Sequence, residues 1–307
     1  MKKDFLSIAD LSAKEIWQVL LLVKKLKQRN ANYFAGKTMV MLFEKPSLRT
    51  KLSFDIAFNQ LGGHIVYFGS QEVGLGKRES VSDVAKIISS MADLIVARVF
   101  SHKDLEELAD NSKVPVINAL SDLEHPCQAL ADFLTVLEVK GRLEGLTLAY
   151  LGDGENNVPH SLVLGCALLG IDFRCASPKG YFMKKEIVQK AKQIAKATGV
   201  NILETENPEE AVKNADIIYT DTWVSMGDKD KEKRLKIFQP YQVSQSLMSL
   251  AKKDVIFMHD LPAYRGNEVA SEVIDGPQSV VFLQAENRLY SQKGLLIYLM
   301  KFGRKKF

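Results

Sequence analysis

The regular alternation of short apolar runs with amphipathic stretches constrains the fold of this chain more than any other feature. In the first part of the chain, four apolar runs have the length of buried strands, at residues 38–43, 64–68, 94–98 and 116–119. Stretches with the apolar spacing of helices accompany them, at residues 12–29, 52–60, 80–91 and 104–111. Strands that alternate with helices are typical of a parallel, doubly wound sheet.

A second alternating series follows a long helical stretch at residues 125–140, which ends at Gly141. Its predicted strands are residues 146–151, 172–176, 201–204, 216–220 and 254–258, and its predicted helices are residues 158–169, 184–198 and 208–214. The sequence therefore predicts an α/β protein with two doubly wound parallel-sheet domains that are joined by long helices.

The segment Ser47-Leu48-Arg49-Thr50 carries two hydroxyls and an arginine between a predicted strand and a predicted helix. The free N–H groups of a helix start attract an anion, and an arginine binds phosphate through two parallel hydrogen bonds. The glycines and the Gly-Lys-Ser/Thr ending of a Walker A loop are absent. This segment predicts either a phosphate site or a helix whose serine and threonine only cap its backbone.

Further polar residues lie at predicted helix starts and strand ends. His125 and Gln128 are three residues apart at the start of the long helix, so they share a face and fit either one ligand or a cap. Asp221 follows the predicted strand 216–220, where its carboxylate is well placed to bind a cationic substrate. The turn Gly152-Asp153-Gly154 lacks the third spaced glycine of a dinucleotide fingerprint, which argues against a nucleotide cofactor.

Composition excludes several classes of protein. The 307 residues include 41 basic and 37 acidic side chains, a net charge of +4 that is too small to indicate nucleic-acid binding. The three cysteines have neither a disulfide pattern nor metal-ligand spacing, so we expect reduced thiols and no metal. No apolar run has the length of a membrane span or of a signal peptide, which predicts a cytoplasmic protein without membrane association.

Taken in order, these segments resemble the aspartate/ornithine carbamoyltransferase family over nearly the whole chain. The matching segments are Ser47–Thr50, Ala97-Arg98-Val99, His125–Gln128, Asn156-Asn157, Ser225-Met226-Gly227, His259–Pro262 and Ala285-Glu286-Asn287-Arg288. Each match alone is weak, whereas their common order is specific. The loop from Asp221 to Gly227 resembles the members that use ornithine, because members that use aspartate carry arginines there.

The resemblance implies transfer of a carbamoyl group from carbamoyl phosphate to the δ-amine of L-ornithine, which gives L-citrulline and phosphate. It implies a carbamoyl phosphate-binding domain at residues 1–135 plus 288–307 and an L-ornithine-binding domain at residues 136–287. It also implies no cofactor, and a homotrimer or trimer-based homo-oligomer with active sites at subunit interfaces. Arginine biosynthesis is the implied context, although the direction in the cell stays open.

Site residues follow from the resemblance, position by position. Carbamoyl phosphate is expected to contact Ser47, Leu48, Arg49, Thr50, Arg98, His125, Gln128, Leu261 and Arg288. The expected ornithine-binding residues are Asn157, Asp221, Ser225 and Met226, with Asn156 as an alternative to Asn157. The expected catalytic residues are Arg98, His125, Gln128, Asp260 and Arg288.

Two positions depart from the family pattern. Asp260 stands where the family has a cysteine beside the attacking amine, and a carboxylate there should hold the amine as an ammonium ion. We therefore expect activity to rise at a more alkaline pH than in an Asp260→Cys variant. Gly74 replaces a polar residue that reaches a neighbouring subunit's phosphate, and Lys77 or Arg78 is expected to substitute for it.

Three other functions fit parts of the sequence. Asp260 keeps open a carbamoyltransferase for another amine, such as putrescine. A catalytically weak ligand-binding or regulatory relative is the second alternative, although such a protein has little need for every polarising group. A nucleotide-dependent dehydrogenase fits the alternating elements but lacks the glycine fingerprint.

Overall fold

The computed structural model describes residues 2–27, 32–76, 78–224 and 230–302 of the chain. The chain divides into two compact units, the first formed by Met1–Leu134 and Glu286–Phe307 and the second by Thr135–Ala285. The chain leaves the first unit within the helix Pro126–Lys140 and returns to it within the helix Val281–Phe302. The predicted fold class, two parallel α/β domains joined by long helices, is thereby confirmed.

The first unit alternates strands with helices as the sequence predicted. Its elements are α1 (Ala13–Leu26), β1 (Thr38–Phe43), α2 (Leu48–Gln60), β2 (His64–Phe68), α3 (Ser70–Val73), α4 (Val81–Met91), β3 (Leu94–Arg98), α5 (His102–Asn111), β4 (Val116–Leu120) and the beginning of α6 (Pro126–Lys140). The sheet is parallel with the strand order β2-β1-β3-β4. The strand order therefore reverses between β1 and β3, and ligands of open α/β sheets bind at the carboxyl ends of the strands at such a point.

The second unit has the same architecture with five strands. Its elements are β5 (Thr147–Leu151), α7 (Asn157–Leu169), β6 (Asp172–Ala176), α8 (Lys185–Thr198), β7 (Ile202–Thr205), α9 (Pro208–Val212), β8 (Ile217–Thr220), α10 (Lys231–Phe238), α11 (Gln245–Ser249), β9 (Ile256–Met258), α12 (Ser271–Ile274) and the first residues of α13 (Val281–Phe302). The parallel sheet has the order β7-β6-β5-β8-β9, so its reversal lies between β5 and β8. The loops after β5 and β8 consequently meet at one place.

The central strands are apolar because helices cover both faces of each sheet. Every residue of β5 is buried, and so is every residue of β1 except Thr38. In the first unit one apolar cluster joins β1 and β3 to α4 and α5, and in the second another joins β5 and β8 to α9 and α11. Among the described helices, none combines the length and apolarity that crossing a bilayer requires.

Element boundaries differ from the sequence prediction where caps or polar residues decide them. Helix α2 begins at Leu48 rather than at residue 52, because Ser47 caps it by accepting a hydrogen bond from the Thr50 N–H at 3.3 Å. Strand β9 begins at Ile256 rather than at residue 254. Helices α3, α10, α11 and α12 were not predicted, since stretches of four to eight residues carry little periodic signal.

Gly294 lets α13 pack closely on α1 within the first unit. A Cβ atom added there would lie 2.8 Å from the Val19 carbonyl oxygen and 3.1 Å from Val23 Cγ2. Backbone atoms cannot move aside as a flexible side chain can, so Gly294→Ala should separate the two helices. We expect it to destabilise the protein by about 1–3 kcal/mol, measured as a lower midpoint of thermal unfolding.

Gly69→Ala is the matched control for this substitution. At Gly69 the nearest atom to an added Cβ lies at 3.6 Å, an ordinary contact, and the backbone angle φ is −85°. We expect the control to unfold within about 0.5 kcal/mol of the unaltered protein. Equal midpoints for the two variants would contradict close packing at Gly294.

Candidate active site

The first group of predicted site residues lies at the carboxyl ends of β1 and β3. The register pairs Phe43 with Arg98, so the loop after β1 begins beside the last residue of β3. The Glu44 N–H donates to the Arg98 carbonyl oxygen at 2.9 Å, which fixes the start of the loop. The first residues of α2 then present their free N–H groups at the reversal of the strand order.

Polar groups at the start of α2 are held in one arrangement. The Ser47 hydroxyl donates to Thr50 Oγ1 at 2.9 Å, and Arg288 Nη2 donates to the same oxygen at 2.5 Å. Thr50 is completely buried, whereas the Leu48 side chain is 77% exposed. Leu48 is the first residue of α2, so its backbone N–H is one of those that have no partner within the helix.

Three arginines of this unit lie close enough to His125 for their charges to act on it. Burial lowers the pKa of His125 well below its ordinary value, and the positive charges of Arg288, Arg98 and Arg49 lower it further. Arg49 Nε is buried and has no hydrogen-bond partner in the described part of the chain. Because three guanidinium groups repel one another, this arrangement suits a multiply charged anion such as a phosphate group. His125 is uncharged at neutral pH, so it can donate a hydrogen bond through one neutral ring nitrogen.

Gln128 completes the group, one helical turn after His125. Its Nε2 donates to Asp132 Oδ1 at 2.8 Å, and its side chain is almost completely buried. This hydrogen bond orients the amide, and Gln128 Oε1 is buried with no partner among residues that the structure describes. An oriented acceptor of this kind fits the NH2 group of a carbamoyl ligand.

The lowered pKa of His125 predicts a pH-dependent stability. Below about pH 6.5 the unfolded chain protonates this histidine while the native protein does not, so acidification favours unfolding. The effect grows as the pH falls from this value towards the lowered native pKa. We expect the loss in melting temperature between pH 7.5 and pH 5.5 to be smaller in His125→Asn than in the unaltered protein. Equal losses in both proteins would contradict a buried, uncharged His125.

The second group lies in the second unit, where the loops after β5 and β8 meet. Asn156 caps α7, and its Nδ2 donates to Asp221 Oδ2 at 2.7 Å. The Thr222 N–H donates to Asp221 Oδ1 at 2.6 Å, so both carboxylate oxygens have donors. Asn157, the residue predicted to bind ornithine, is the first residue of α7. Asn156 is thus the residue that contacts Asp221 directly.

Asp260 lies against Asp221. One oxygen of each carboxyl group lies within 4.8 Å of the other, and Asp260 Oδ1 is 3.6 Å from His259 Nδ1. Burial raises the pKa of Asp221 well above its ordinary value, and the adjacent carboxyl group of Asp260 raises it further. A site with two adjacent carboxyl groups attracts a cation.

The turn after β9 is held by His259, which is fully buried. The Leu261 N–H donates to His259 Nδ1 at 2.9 Å, so the ring proton is on Nε2, which faces Glu268 Oε1 at 3.3 Å. Leu261 has a φ of 60°, a strained conformation for a side chain of this size. The histidine and Glu268 therefore stabilise the turn that presents Asp260 and Leu261.

The hydrogen bonds of the His259 ring argue against a metal ion bound by this histidine and its neighbouring carboxyl groups. Asp221, His259 and Asp260 each bring one ligand-type atom within 4.8 Å of the others. Both ring nitrogens of His259 are occupied by Leu261 and Glu268, so the histidine offers no lone pair to an ion. The residues present do not form a metal site.

Asp153 and Arg234, which the sequence analysis did not assign to the site, support the loop after β8. They form an ion pair, and Arg234 Nε donates to the Trp223 carbonyl oxygen at 2.8 Å. The guanidinium also lies 5.1 Å from the centroids of the Tyr181 and Phe238 rings. The sequence contains no local signal for this pair, because the two residues are far apart in the chain and only the fold brings them together.

The remaining predicted residues include three that the structure does not describe. Ser225, Met226 and Lys77 lie outside the described residues. The Arg78 side chain is 76% exposed and lies 3.9 Å from Glu79. Gly74 ends α3 with φ 47°, a left-handed conformation that favours glycine, which is a structural reason for glycine at this position.

Comparisons with known proteins identify the family of both parts of the chain. A family model described as the carbamoyl-P binding domain of aspartate/ornithine carbamoyltransferase matches residues 3–138. A model described as the Asp/Orn binding domain of the same family matches residues 144–299. Together these models cover most of the chain.

Individual relatives match over nearly their full length. An ornithine carbamoyltransferase of Anoxybacillus flavithermus is 48% identical over 304 residues, covering 97% of this chain and 96% of the relative. One of Methanocaldococcus jannaschii is 52% identical over 280 residues, covering 91% of this chain and 92% of the relative. The solved structure of ornithine carbamoyltransferase from Pyrococcus furiosus superposes with a TM-score of 0.95 at 46% identity, covering 99% of this chain and 98% of that one. The chain belongs to the aspartate/ornithine carbamoyltransferase family.

Proposed function

We propose that this enzyme transfers the carbamoyl group of carbamoyl phosphate to the δ-amine of L-ornithine, giving L-citrulline and phosphate. The observation that carries the proposal is the uncharged, buried His125 among Arg49, Arg98 and Arg288. Three positive charges with one neutral donor fit a ligand that combines a phosphate with a polarisable carbonyl group. The ornithine carbamoyltransferases that match this chain support the choice of acceptor.

The residues that we assign to carbamoyl phosphate belong to the first unit, except Leu261. Ser47, Arg49, Thr50 and the backbone N–H of Leu48 hold the phosphate group. Arg98, His125 and Thr50 donate to the carbonyl oxygen as negative charge develops on it, and each such donor lowers the barrier by about 3–4 kcal/mol. We assign Gln128 Oε1 to the carbamoyl NH2 group, Arg288 to the same end of the ligand, and the backbone of Leu261 as a further contact.

The residues of the second unit are assigned to ornithine. Asp221, supported by Asn156, binds a positively charged amino group, and Asn157, Ser225 and Met226 contact the amino-acid end. Asp260 contributes a second carboxyl group beside Asp221. This set explains selection of a cationic acceptor over a dicarboxylate such as aspartate, which two carboxyl groups would repel.

The reaction needs neither a covalent intermediate nor a cofactor. The neutral δ-amine attacks the carbonyl carbon, the bond from that carbon to the phosphate oxygen breaks, and phosphate leaves as the amine proton moves to it. Carbamoyl phosphate is a mixed anhydride and citrulline a stable urea, so the forward direction is favoured. We therefore assign the enzyme to arginine biosynthesis.

We further propose that the enzyme is a cytoplasmic homotrimer. Exposed apolar side chains on α2 and α4 of the first unit support association, since Leu48, Leu52, Ile87 and Met91 are at least half exposed in the single chain. In such an assembly Lys77 or Arg78 would reach the neighbouring subunit's phosphate. Light scattering coupled to size-exclusion chromatography should give three times the mass of one chain, and a monomer would contradict the proposal.

Citrulline formation tests the proposed reaction. L-Ornithine should support rapid turnover with carbamoyl phosphate, whereas putrescine, N-acetylornithine, lysine and aspartate should not. Turnover with another amine would change the acceptor and point to Asp260 as the cause. No turnover with any acceptor, despite measurable binding of carbamoyl phosphate, would favour a regulatory role instead.

A further inference from the structure

Asp221 and Asp260 occupy matching positions at the ends of two neighbouring strands. Strands β8 and β9 are parallel, and their last register pair is Tyr219 with Met258. Continuing this register by two residues brings Asp221 opposite Asp260. Side chains alternate between the faces of a sheet, so the two carboxyl groups also emerge on the same face. This register accounts for the closeness of the two groups, since one carboxylate oxygen of each lies within 4.8 Å of the other.

The two carboxyl groups differ in the hydrogen-bond donors that reach them. Asp221 accepts one hydrogen bond on each oxygen, from Asn156 and Thr222. Asp260 Oδ1 is buried and has no hydrogen-bond partner in the described chain. His259 Nδ1, 3.6 Å away, already accepts the Leu261 N–H and so has no proton to donate. Only a proton between the two carboxyl groups allows a hydrogen bond between them.

Among the described residues, the charges that act most strongly on Asp221 are those of Asp260 and Glu268, and both are negative. Arg234, on α10, is paired with Asp153 after β5. Glu268 acts on Asp221 as a further negative charge, while His259 carries its ring proton towards Glu268. The Tyr150 hydroxyl on β5 is uncharged at neutral pH, since burial and then the charges of Asp221 and Asp153 raise its pKa. Two ionised carboxylates at this separation would therefore repel each other.

We propose that Asp221 and Asp260 share one proton in the ligand-free enzyme and release it when a positively charged amino group of the acceptor binds between them. The inference rests on the proposed function, because L-ornithine is taken as the acceptor. The proton supplies a positive charge and a hydrogen bond to the pair. The ammonium group supplies a positive charge and N–H donors, so it can take the place of the proton. In this exchange one ammonium ion binds to the pair, whose two carboxyl groups are then both ionised, and one proton passes to the buffer.

Two consequences follow for the enzyme. The affinity for L-ornithine should rise about tenfold per pH unit while the free pair holds its proton, and should level off once the pair is ionised. Asp260 is thus a positioning residue that couples acceptor binding to pH, acting together with Asp221.

Infrared spectroscopy of the ligand-free protein tests the shared proton directly. A protonated carboxyl group has a carbonyl stretch that is separate from those of ionised carboxylates. At pH 7 this band should be weaker in Asp260→Asn than in the unaltered protein. It should also be weaker in Asp260→Cys, and this second variant keeps the test valid if the first one misfolds. Asp254→Asn is the matched control, since Asp254 is an exposed partner of Lys140 and its removal should leave the band unchanged. An unchanged band in both Asp260 variants would overturn the proposal.

Calorimetry tests the coupling to ligand. L-Ornithine is titrated into the enzyme at pH 7 in two buffers of different ionisation enthalpy, with sulfate present to occupy the phosphate site. The unaltered enzyme should release about one proton per L-ornithine, and Asp260→Asn close to none. If the unaltered enzyme bound L-ornithine without releasing a proton, the coupling would be overturned while the proposed function would stand. Absence of binding together with absence of citrulline formation would overturn both.

Discussion

Replacing Arg98 with glutamine is expected to lower kcat by about 100- to 1,000-fold with little change in the melting temperature. Arg98 is the last residue of β3, beside the start of the loop after β1, and its charge acts on His125. In the proposed reaction its guanidinium stabilises the charge that develops on the carbonyl oxygen, which a neutral amide does only weakly. Steady-state citrulline formation at saturating substrates measures the effect.

Two further variants sharpen this prediction. Arg98→Lys keeps the charge but loses the planar fork, so we expect an intermediate kcat. Arg265→Gln removes an exposed arginine that pairs with Asp275 in the second unit, and its kcat should equal that of the unaltered enzyme. A kcat for Arg98→Gln within a factor of about three of the control would contradict the role of Arg98.

Replacing Asp221 with asparagine should lower kcat/KM for L-ornithine by about 100-fold or more. The substitution removes the negative charge, and it also disturbs the local hydrogen bonds. Each Asp221 oxygen accepts from a donor, Asn156 Nδ2 or the Thr222 N–H. In either orientation the new NH2 group would face a donor, so one hydrogen bond becomes a repulsive contact.

The control for Asp221→Asn is binding of the other substrate. Because Asp221 belongs to the second unit and the assigned phosphate contacts to the first, the dissociation constant for carbamoyl phosphate should stay within about twofold. Calorimetry with carbamoyl phosphate alone measures it. Equal losses for both substrates would indicate general misfolding rather than loss of the acceptor contact.

The fold follows from local patterns that the sequence contains in full. Fully apolar strands such as β5 and caps such as Ser47 act over a few residues, so periodicity and cap chemistry predict them. The order of strands within each sheet does not follow from local patterns. It depends on packing between distant segments, and the alternation of elements alone is compatible with several orders.

The residues of the candidate site also divide into those that a local pattern predicts and those that only the folded chain brings together. Ser47, Arg49 and Thr50 form a local segment, and His125 and Gln128 lie on one helix face, so motif spacing could identify them. The contact between Asp221 and Asp260 depends on β8 being next to β9 in a definite register, which no local signal reveals. The support of the β8 loop by Arg234 likewise exists only in the folded chain. Sequence patterns thus predicted the candidate site residues, and the structure was needed to find the contacts between distant segments that orient them.

The most direct test of the central claim is the identity of the bond that the enzyme forms. The enzyme is incubated with carbamoyl phosphate labelled with 13C at the carbonyl carbon and L-ornithine labelled with 15N at the δ-amine, and the product is examined by NMR. The account predicts citrulline whose 13C signal is split by a single directly bonded 15N. A 13C product without this splitting, such as a carbamoylated α-amine, would contradict the assignment of the δ-amine as nucleophile.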